Sequence, residues 1–220
     1  MAAGAGAPTD GVTTAARLEA AAALRRLANA FVAHQVDDEV LSEITSRVDA
    51  LLPDVERAPA RPHSFLAHGT DFLRERMKGD DASQSNSVFP DCIVSGQASP
   101  VGMNATLWRE HDEAVLEVTL GPAFEGAPGR AHGGVVAALI DELMGLALTM
   151  ADTLAFTGNL SVTYRSPTPI GVVLEGRARL GPRSGRKITI TAELFDGATL
   201  LAEGQGLFIG VEAAHFLGTP

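Results

Sequence analysis

Six short stretches of this chain alternate between apolar and polar residues, and one long apolar stretch interrupts them after the second. The alternating stretches are 103–109, 114–120, 157–165, 172–180, 187–195 and 199–210. In the third, Leu160, Val162 and Tyr164 oppose Asn159, Ser161 and Thr163; in the fifth, Ile188, Ile190, Ala192 and Leu194 oppose Thr189, Thr191 and Glu193. Successive strand side chains point to opposite faces, so these strands make a sheet with one covered face and one wet face. The segment 132–150 is the natural cover. Polar turns REHDE, PRSGR and DGA join strands, and the glycine- and proline-rich loop GPAFEGAPGR precedes the apolar segment. The pattern predicts an α+β domain in which an antiparallel sheet wraps around one long helix.

The first 90 residues have a different texture. Leu18, Leu24, Leu27 and Phe31 recur at helical spacing in 15–34, and a second helix is predicted over 37–52, with Asp37 as N-cap and Pro53 as stop. Residues 53–90, rich in Pro, Ser, Asp and His, read as a connection with one helical turn near 70–77. The chain therefore divides into an N-terminal helical extension and linker (1–90), a sheet-and-helix domain (91–212) and a short tail (213–220).

Composition excludes several function classes. The net charge of the 220 residues is −10, with no long basic run, so nucleic acid is not an expected partner. Cys92 is the single cysteine, which rules out an intrachain disulfide, and no secretory signal is evident; a cytoplasmic protein is expected. Residues 1–31 carry arginines and few acids, as transit peptides do, although an Ala/Gly tail is the simpler reading. The segment 131–150 comes nearest to a membrane span, and Asp141 with Glu142 argues against one. His34, His63, His68, His111 and His215 show no metal-ligand spacing, so no metal is expected.

Two carboxylates in an apolar helix need a reason, because burying them is costly unless they are paired or used. The helix opens His132-Gly133-Gly134, and Asp141 follows after six residues. Thr157-Gly158-Asn159-Leu160-Ser161-Val162-Thr163-Tyr164-Arg165-Ser166-Pro167 comes next. These motifs and the element order resemble the hotdog fold and, within it, the PaaI and THEM-type acyl-CoA thioesterases, over roughly residues 92–211. The resemblance implies thioester hydrolysis with Asp141 as base or nucleophile, Gly133 and Gly134 amides as oxyanion hole, and Thr157 positioning water. It implies no cofactor beyond the coenzyme A of the substrate. A non-catalytic acyl-CoA-binding or regulatory hotdog module is the alternative from another class, and a hotdog dehydratase is a weaker one.

The chemistry suits these residue types. The first N–H groups of a helix lack internal partners and stand at the positive end of its dipole, and glycine lets a carbonyl approach them. His132 is expected to fix that turn by a local hydrogen bond. Desolvation beside the sheet would make Asp141 a better base. Glu142, which points about 100° away, is the rival base and is otherwise expected to face solvent or a partner. Gly133 and Asp141 are eight residues apart, roughly 12 Å along the axis, too far to share one reacting carbon. If both act in hydrolysis, two chains share the site, and a homodimer, extended in some relatives to a tetramer, is the expected assembly.

Six basic residues (Arg165, Arg177, Arg179, Arg183, Arg186 and Lys187) outnumber one acid, Glu175, between 165 and 187. Arg165, Arg183, Arg186 and Lys187 are the candidate ligands for the nucleotide phosphates. The acyl chain is expected in a slot between subunits lined by Val136, Leu139 and Leu143, with helices 15–52 packed over it or extending the subunit contact.

Overall fold

A computed structural model describes residues 14–61, 89–151 and 153–211. The helical turn expected near 70–77, with His63, His68 and His215, lies outside them. Two helices open the chain, α1 (Ala15–Ala33) and α2 (Asp38–Arg57). The strands β1 (Thr106–Glu110) and β2 (Glu113–Thr119) follow, then a short hairpin of β3 (Glu125–Ala127) and β4 (Arg130–Ala131). The long helix α3 (Gly133–Met150) leads into β5 (Ala155–Tyr164), β6 (Val173–Ser184), β7 (Lys187–Asp196) and β8 (Thr199–Gly210).

The six long strands form one antiparallel sheet in the order β1-β2-β6-β7-β8-β5. The tips of the β6–β7 and β7–β8 turns are Gly185 and Gly197, whose positive φ angles of 59° and 54° suit glycine. Helix α3 lies on one face of the sheet, and Val136, Leu139, Ile140, Leu143, Met144 and Ala147 meet Leu116, Leu174, Ile190, Leu194 and Ala202 there. This is the hotdog arrangement expected from the alternating pattern. A Cβ at Gly204 would overlap Ile140 Cγ2, and one at Gly206 would stand 2.6 Å from Met144 Sδ. Glycines at these two positions let the helix sink onto the sheet, which maximises apolar contact.

Three expectations are corrected. Leu139 and Leu143, each 1 % exposed, belong to the core and not to an acyl slot, because the most apolar face of the helix is the one the sheet covers. The loop GPAFEGAPGR folds partly into the β3–β4 hairpin, too short to show alternation. Helix α2 runs through Pro53 to Arg57. A proline removes one N–H and frees one carbonyl, that of Asp49, and on an exposed helix near its end water can satisfy it. Asp37 is the N-cap but makes no side-chain capping bond, whereas the Thr14 hydroxyl caps α1 by accepting from Arg17 N–H at 3.2 Å.

By length and composition α3 could cross a membrane, yet here it is the core helix under the sheet. Helix α1 docks on the loops around 97–104 and 121–124, not over the cleft described below.

Candidate active site

The N-terminus of α3 is locked on two sides. His132 Nδ1 accepts the Gly134 N–H at 3.0 Å, and the Tyr164 hydroxyl donates to the Gly133 carbonyl at 2.8 Å. That carbonyl and that N–H belong to one peptide unit, so the Gly133–Gly134 peptide is held by its oxygen and its nitrogen together. His132 N–H in turn donates to the Phe124 carbonyl at 2.9 Å. Gly134's amide is thereby engaged. Gly133 N–H makes no hydrogen bond among the described residues, and it remains the open donor at the positive end of the helix.

A cleft of about 430 Å³ adjoins this point, lined among others by Gly126, Arg130, His132, Gly133, Tyr164 and Thr168. Its walls include Arg130 and Arg165 and, among the described residues, no acidic one. The Arg130 guanidinium and an open N–H together suit a group that becomes negative.

Asp141 stands two turns further along α3. Its Oδ1 accepts the Thr157 hydroxyl at 2.9 Å. Strict alternation would put Thr157 with Asn159 and Ser161, on the face away from the helix. A β-bulge at Gly158 reverses this, since Thr157 pairs with Phe208 and Asn159 with the next residue back, Leu207. The extra residue turns Thr157 toward α3, while Leu160, Val162 and Tyr164 keep the inward face.

Glu142, half-buried, is turned toward the 92–95 loop of its own chain. The Ser95 hydroxyl donates to its Oε1, and the Cys92 thiol donates to its Oε2 at 3.4 Å. Burial and then the charge of Glu142 push the Cys92 thiol pKa up, which keeps it a donor. Cys92 is thus a polar partner of the helix, beyond the apolar filler its surroundings suggest.

Comparisons with known proteins bear on this arrangement. The model of the Thioesterase superfamily matches residues 128–203. Acyl-coenzyme A thioesterase THEM4 of Bos taurus is 30 % identical over 161 residues, which cover 71 % of this chain and 67 % of that protein. This chain belongs to the acyl-coenzyme A thioesterase family. THEM4 of Mus musculus is 34 % identical over 91 residues, covering 40 % of this chain and 39 % of that protein. The crystal structure of a thioesterase superfamily protein matches at a TM-score of 0.73 and 25 % identity, over 92 % of this chain and 93 % of that one.

The thioesterase-family match spans His132, Gly133, Gly134, Asp141, Glu142 and Thr157 as well as the basic candidates, and leaves α1, Cys92 and Ser95 outside. The basic candidates do not form one patch. Arg165 is paired with Glu203 at 2.7 Å, near the cleft. Arg183 Nε donates to the Gly185 carbonyl at 3.1 Å, and Arg186 Nε to the Gly210 carbonyl at 2.9 Å, at the opposite end of the sheet. Lys187 is exposed beside them. Arg177 is paired with Glu110, Glu113 and Glu175, and Arg179 with Glu113. The count along the sequence missed these acids because Glu110 and Glu113 arrive from the neighbouring hairpin.

The sequence reading assigned no role to Tyr164, Arg130 or Ser95. Tyr164 was detectable, as the inward-facing end of the strand whose start carries Thr157. Nothing local marks Ser95 or Arg130.

Proposed function

We propose that this thioesterase-family protein hydrolyses the thioester of an acyl-coenzyme A to a free acid and coenzyme A, at a site shared by two copies of the chain. The observation that carries the reading is the placement of two complementary groups on one helix. An open Gly133 N–H stands at its start, and Asp141, hydrogen-bonded to Thr157, stands roughly 12 Å further along the axis.

Strand β5 supports the shared site. It is an edge strand, and an unpaired edge invites another strand. Thr157 lies near one end of β5 and Tyr164 at the other. Antiparallel pairing of β5 with its own copy about a two-fold axis would set the Asp141 end of one chain beside the Gly133 end of its mate. A homodimer is the minimum unit, and a tetramer is compatible with it.

In this mechanism the thioester carbonyl oxygen accepts Gly133 N–H. Asp141 takes a proton from water aligned by Thr157, the water oxygen bonds to the carbonyl carbon, and the C–S bond breaks. The departing sulfur leaves as thiolate and takes the proton that Asp141 removed from water, which gives the thiol and restores the carboxylate. His132 and Gly134 hold the donor peptide in place. Direct attack by Asp141 through an anhydride is the other balanced route. The only coenzyme required is the one in the substrate. Arg183, Arg186 and Lys187 of one chain flank its Asp141 end and are suited to the nucleotide phosphates, as is Arg130 at the cleft. Arg165, already paired with Glu203, is the weaker ligand.

The test is release of free thiol from short, medium, long and aromatic acyl-CoAs by the wild type and by Asp141→Ala. Turnover that Asp141→Ala abolishes supports the reading. Tight binding of acyl-CoA with no turnover by the wild type would favour the non-catalytic module.

A further inference from the structure

Helix α1 lies outside the family match and supplies none of the residues placed in the reaction. It is not docked mainly by apolar burial. Ala21 is its one buried residue, and Leu24, Leu27 and Phe31 stay about half exposed. Polar side chains hold it instead: Arg17 reaches Asp91 Oδ1 at 3.5 Å, and Arg25 and Asn29 make the closer contacts. Arg25 donates to the carbonyls of Gln97 at 2.8 Å and Ser99 at 2.6 Å and to Asn104 Oδ1 at 3.3 Å. Asn29 donates to the Arg25 carbonyl at 2.9 Å, and its Oδ1 accepts the Ala123 N–H at 3.1 Å. Gly121 makes room for it, since a Cβ there would overlap Asn29 Oδ1.

Each loop gripped by α1 also grips α3. The turn at 122–124 receives Asn29 on Ala123 and offers the Phe124 carbonyl to His132 N–H at 2.9 Å. The loop held by Arg25 is knotted to 92–95 by Met103 N–H to Ile93 O at 2.8 Å and Gly96 N–H to Cys92 O at 3.0 Å. Ser95 and Cys92 of that knot donate to Glu142. The two anchored residues, the N-cap His132 and Glu142 within α3, are the immediate neighbours of Gly133 and Asp141. A helix pinned at two points ten residues apart, about 15 Å, can neither roll nor slide.

We propose that α1 is a positioning strap for catalysis, in which Arg25 and Asn29 hold the two loops whose contacts at His132 and Glu142 set where Gly133 and Asp141 stand. The proposal rests on the reading that Gly133 and Asp141 perform the chemistry. Misplacement of reacting groups by even 1 Å costs about a hundredfold in rate, so a loosened strap of smaller displacement is expected to cost about tenfold.

The experiment uses the full chain and four variants: Asn29→Ala, Gly121→Ala, Arg25→Met and Asn29→Asp. Gly121→Ala displaces Asn29 without altering it, and Asn29→Asp keeps the acceptor for Ala123 N–H. Kinetics on the best acyl-CoA are read well below each variant's melting temperature, beside amide hydrogen exchange at Gly134, Val135 and Val136. The first three variants are expected to lose about tenfold in kcat with KM within about twofold, and to exchange faster at those amides. Asn29→Asp is expected to restore kcat to within about threefold of the wild type and to restore slow exchange. Unchanged kcat, unchanged exchange, or a loss that Asn29→Asp fails to rescue would each overturn the strap. Should the wild type hydrolyse no acyl-CoA, the functional reading fails by itself, and exchange at Gly134–Val136 still decides whether α1 holds the start of α3.

Discussion

The Thr157 hydroxyl donates to the Asp141 carboxylate at 2.9 Å, joining the middle of the core helix to the edge strand of the sheet. A hydroxyl so placed can pass from the carboxylate to a water molecule without leaving the site. Asp141→Asn is expected to lower kcat by about 10²–10⁴, the range for a lost general base, with substrate binding retained. Thr157→Val is expected to lower it less. Glu142→Gln, which keeps an oxygen for Ser95, should lower kcat far less than Asp141→Asn; the reverse ranking in thiol release would make Glu142 the base.

The two glycines of the helix start do different work. A Cβ at Gly133 would meet Tyr164 at an ordinary 3.4 Å, so Gly133→Ala should fold normally yet obstruct the open amide. A fall of about 10² in kcat is expected, as for loss of an oxyanion donor. A Cβ at Gly134 would press on His132 Nδ1 at 3.2 Å, so Gly134→Ala should chiefly weaken the cap, by about 1 kcal/mol in thermal or chemical unfolding. Tyr164→Phe removes one hydrogen bond to the Gly133 carbonyl, also about 1 kcal/mol, which corresponds to about fivefold in rate if felt wholly in the transition state.

A shared site makes a quantitative statement about mixtures. Asp141→Asn and Gly133→Ala chains, each inactive alone, form hybrids in which one of the two sites has both native groups. Random pairing at equal amounts makes about half of the dimers hybrid, so the remixed sample should recover about a quarter of wild-type turnover. Recovery near zero after verified subunit exchange would mean that each chain works alone.

Away from the site, Glu113 joins the β1–β2 hairpin to β6 through Arg177 at 2.9 Å and through Arg179. The Arg177 hydrogen bond, with Arg179 alongside, holds its carboxyl below the ordinary value of 4.5. A depressed carboxyl stabilises the fold above its unfolded pKa, and that contribution disappears as pH falls through the lower folded value. Glu113→Gln should therefore cost about 1 kcal/mol near neutral pH, and the gap to wild type should close progressively below about pH 4.5. Salt should narrow it as well, since the cluster is partly exposed. Chemical unfolding of both proteins across this pH range checks the sign.

Legibility in the sequence followed the range of each interaction. Strands β7 and β8 and helix α3 show their burial as periodicity, because each faces a single partner surface, and their predicted limits match closely. His132, Gly133 and Asp141 were legible through spacing on one helix. Thr157 carried its identity in the motif but not its orientation, which depends on a register shift invisible to alternation. Glu142 was misplaced because its partners, Ser95 and Cys92, lie nearly fifty residues upstream. The excess of basic residues between 165 and 187 looked larger than it is because Glu110 and Glu113, which pair with Arg177, come from another hairpin. Such contacts are created by the topology and leave no mark on neighbouring residues.

The surplus residue at Gly158 has a wider consequence. It lets one strand obey two phases, with greasy side chains packed inward along most of its length and a hydroxyl delivered to the same side at its beginning. Were Gly158 itself paired with Phe208 in strict alternation, Thr157 would fall opposite Ile209 and display that hydroxyl to bulk water instead of to the acid. The reach of that hydroxyl to the acid is therefore a property of how the strand is registered, over and above the identity of the side chain.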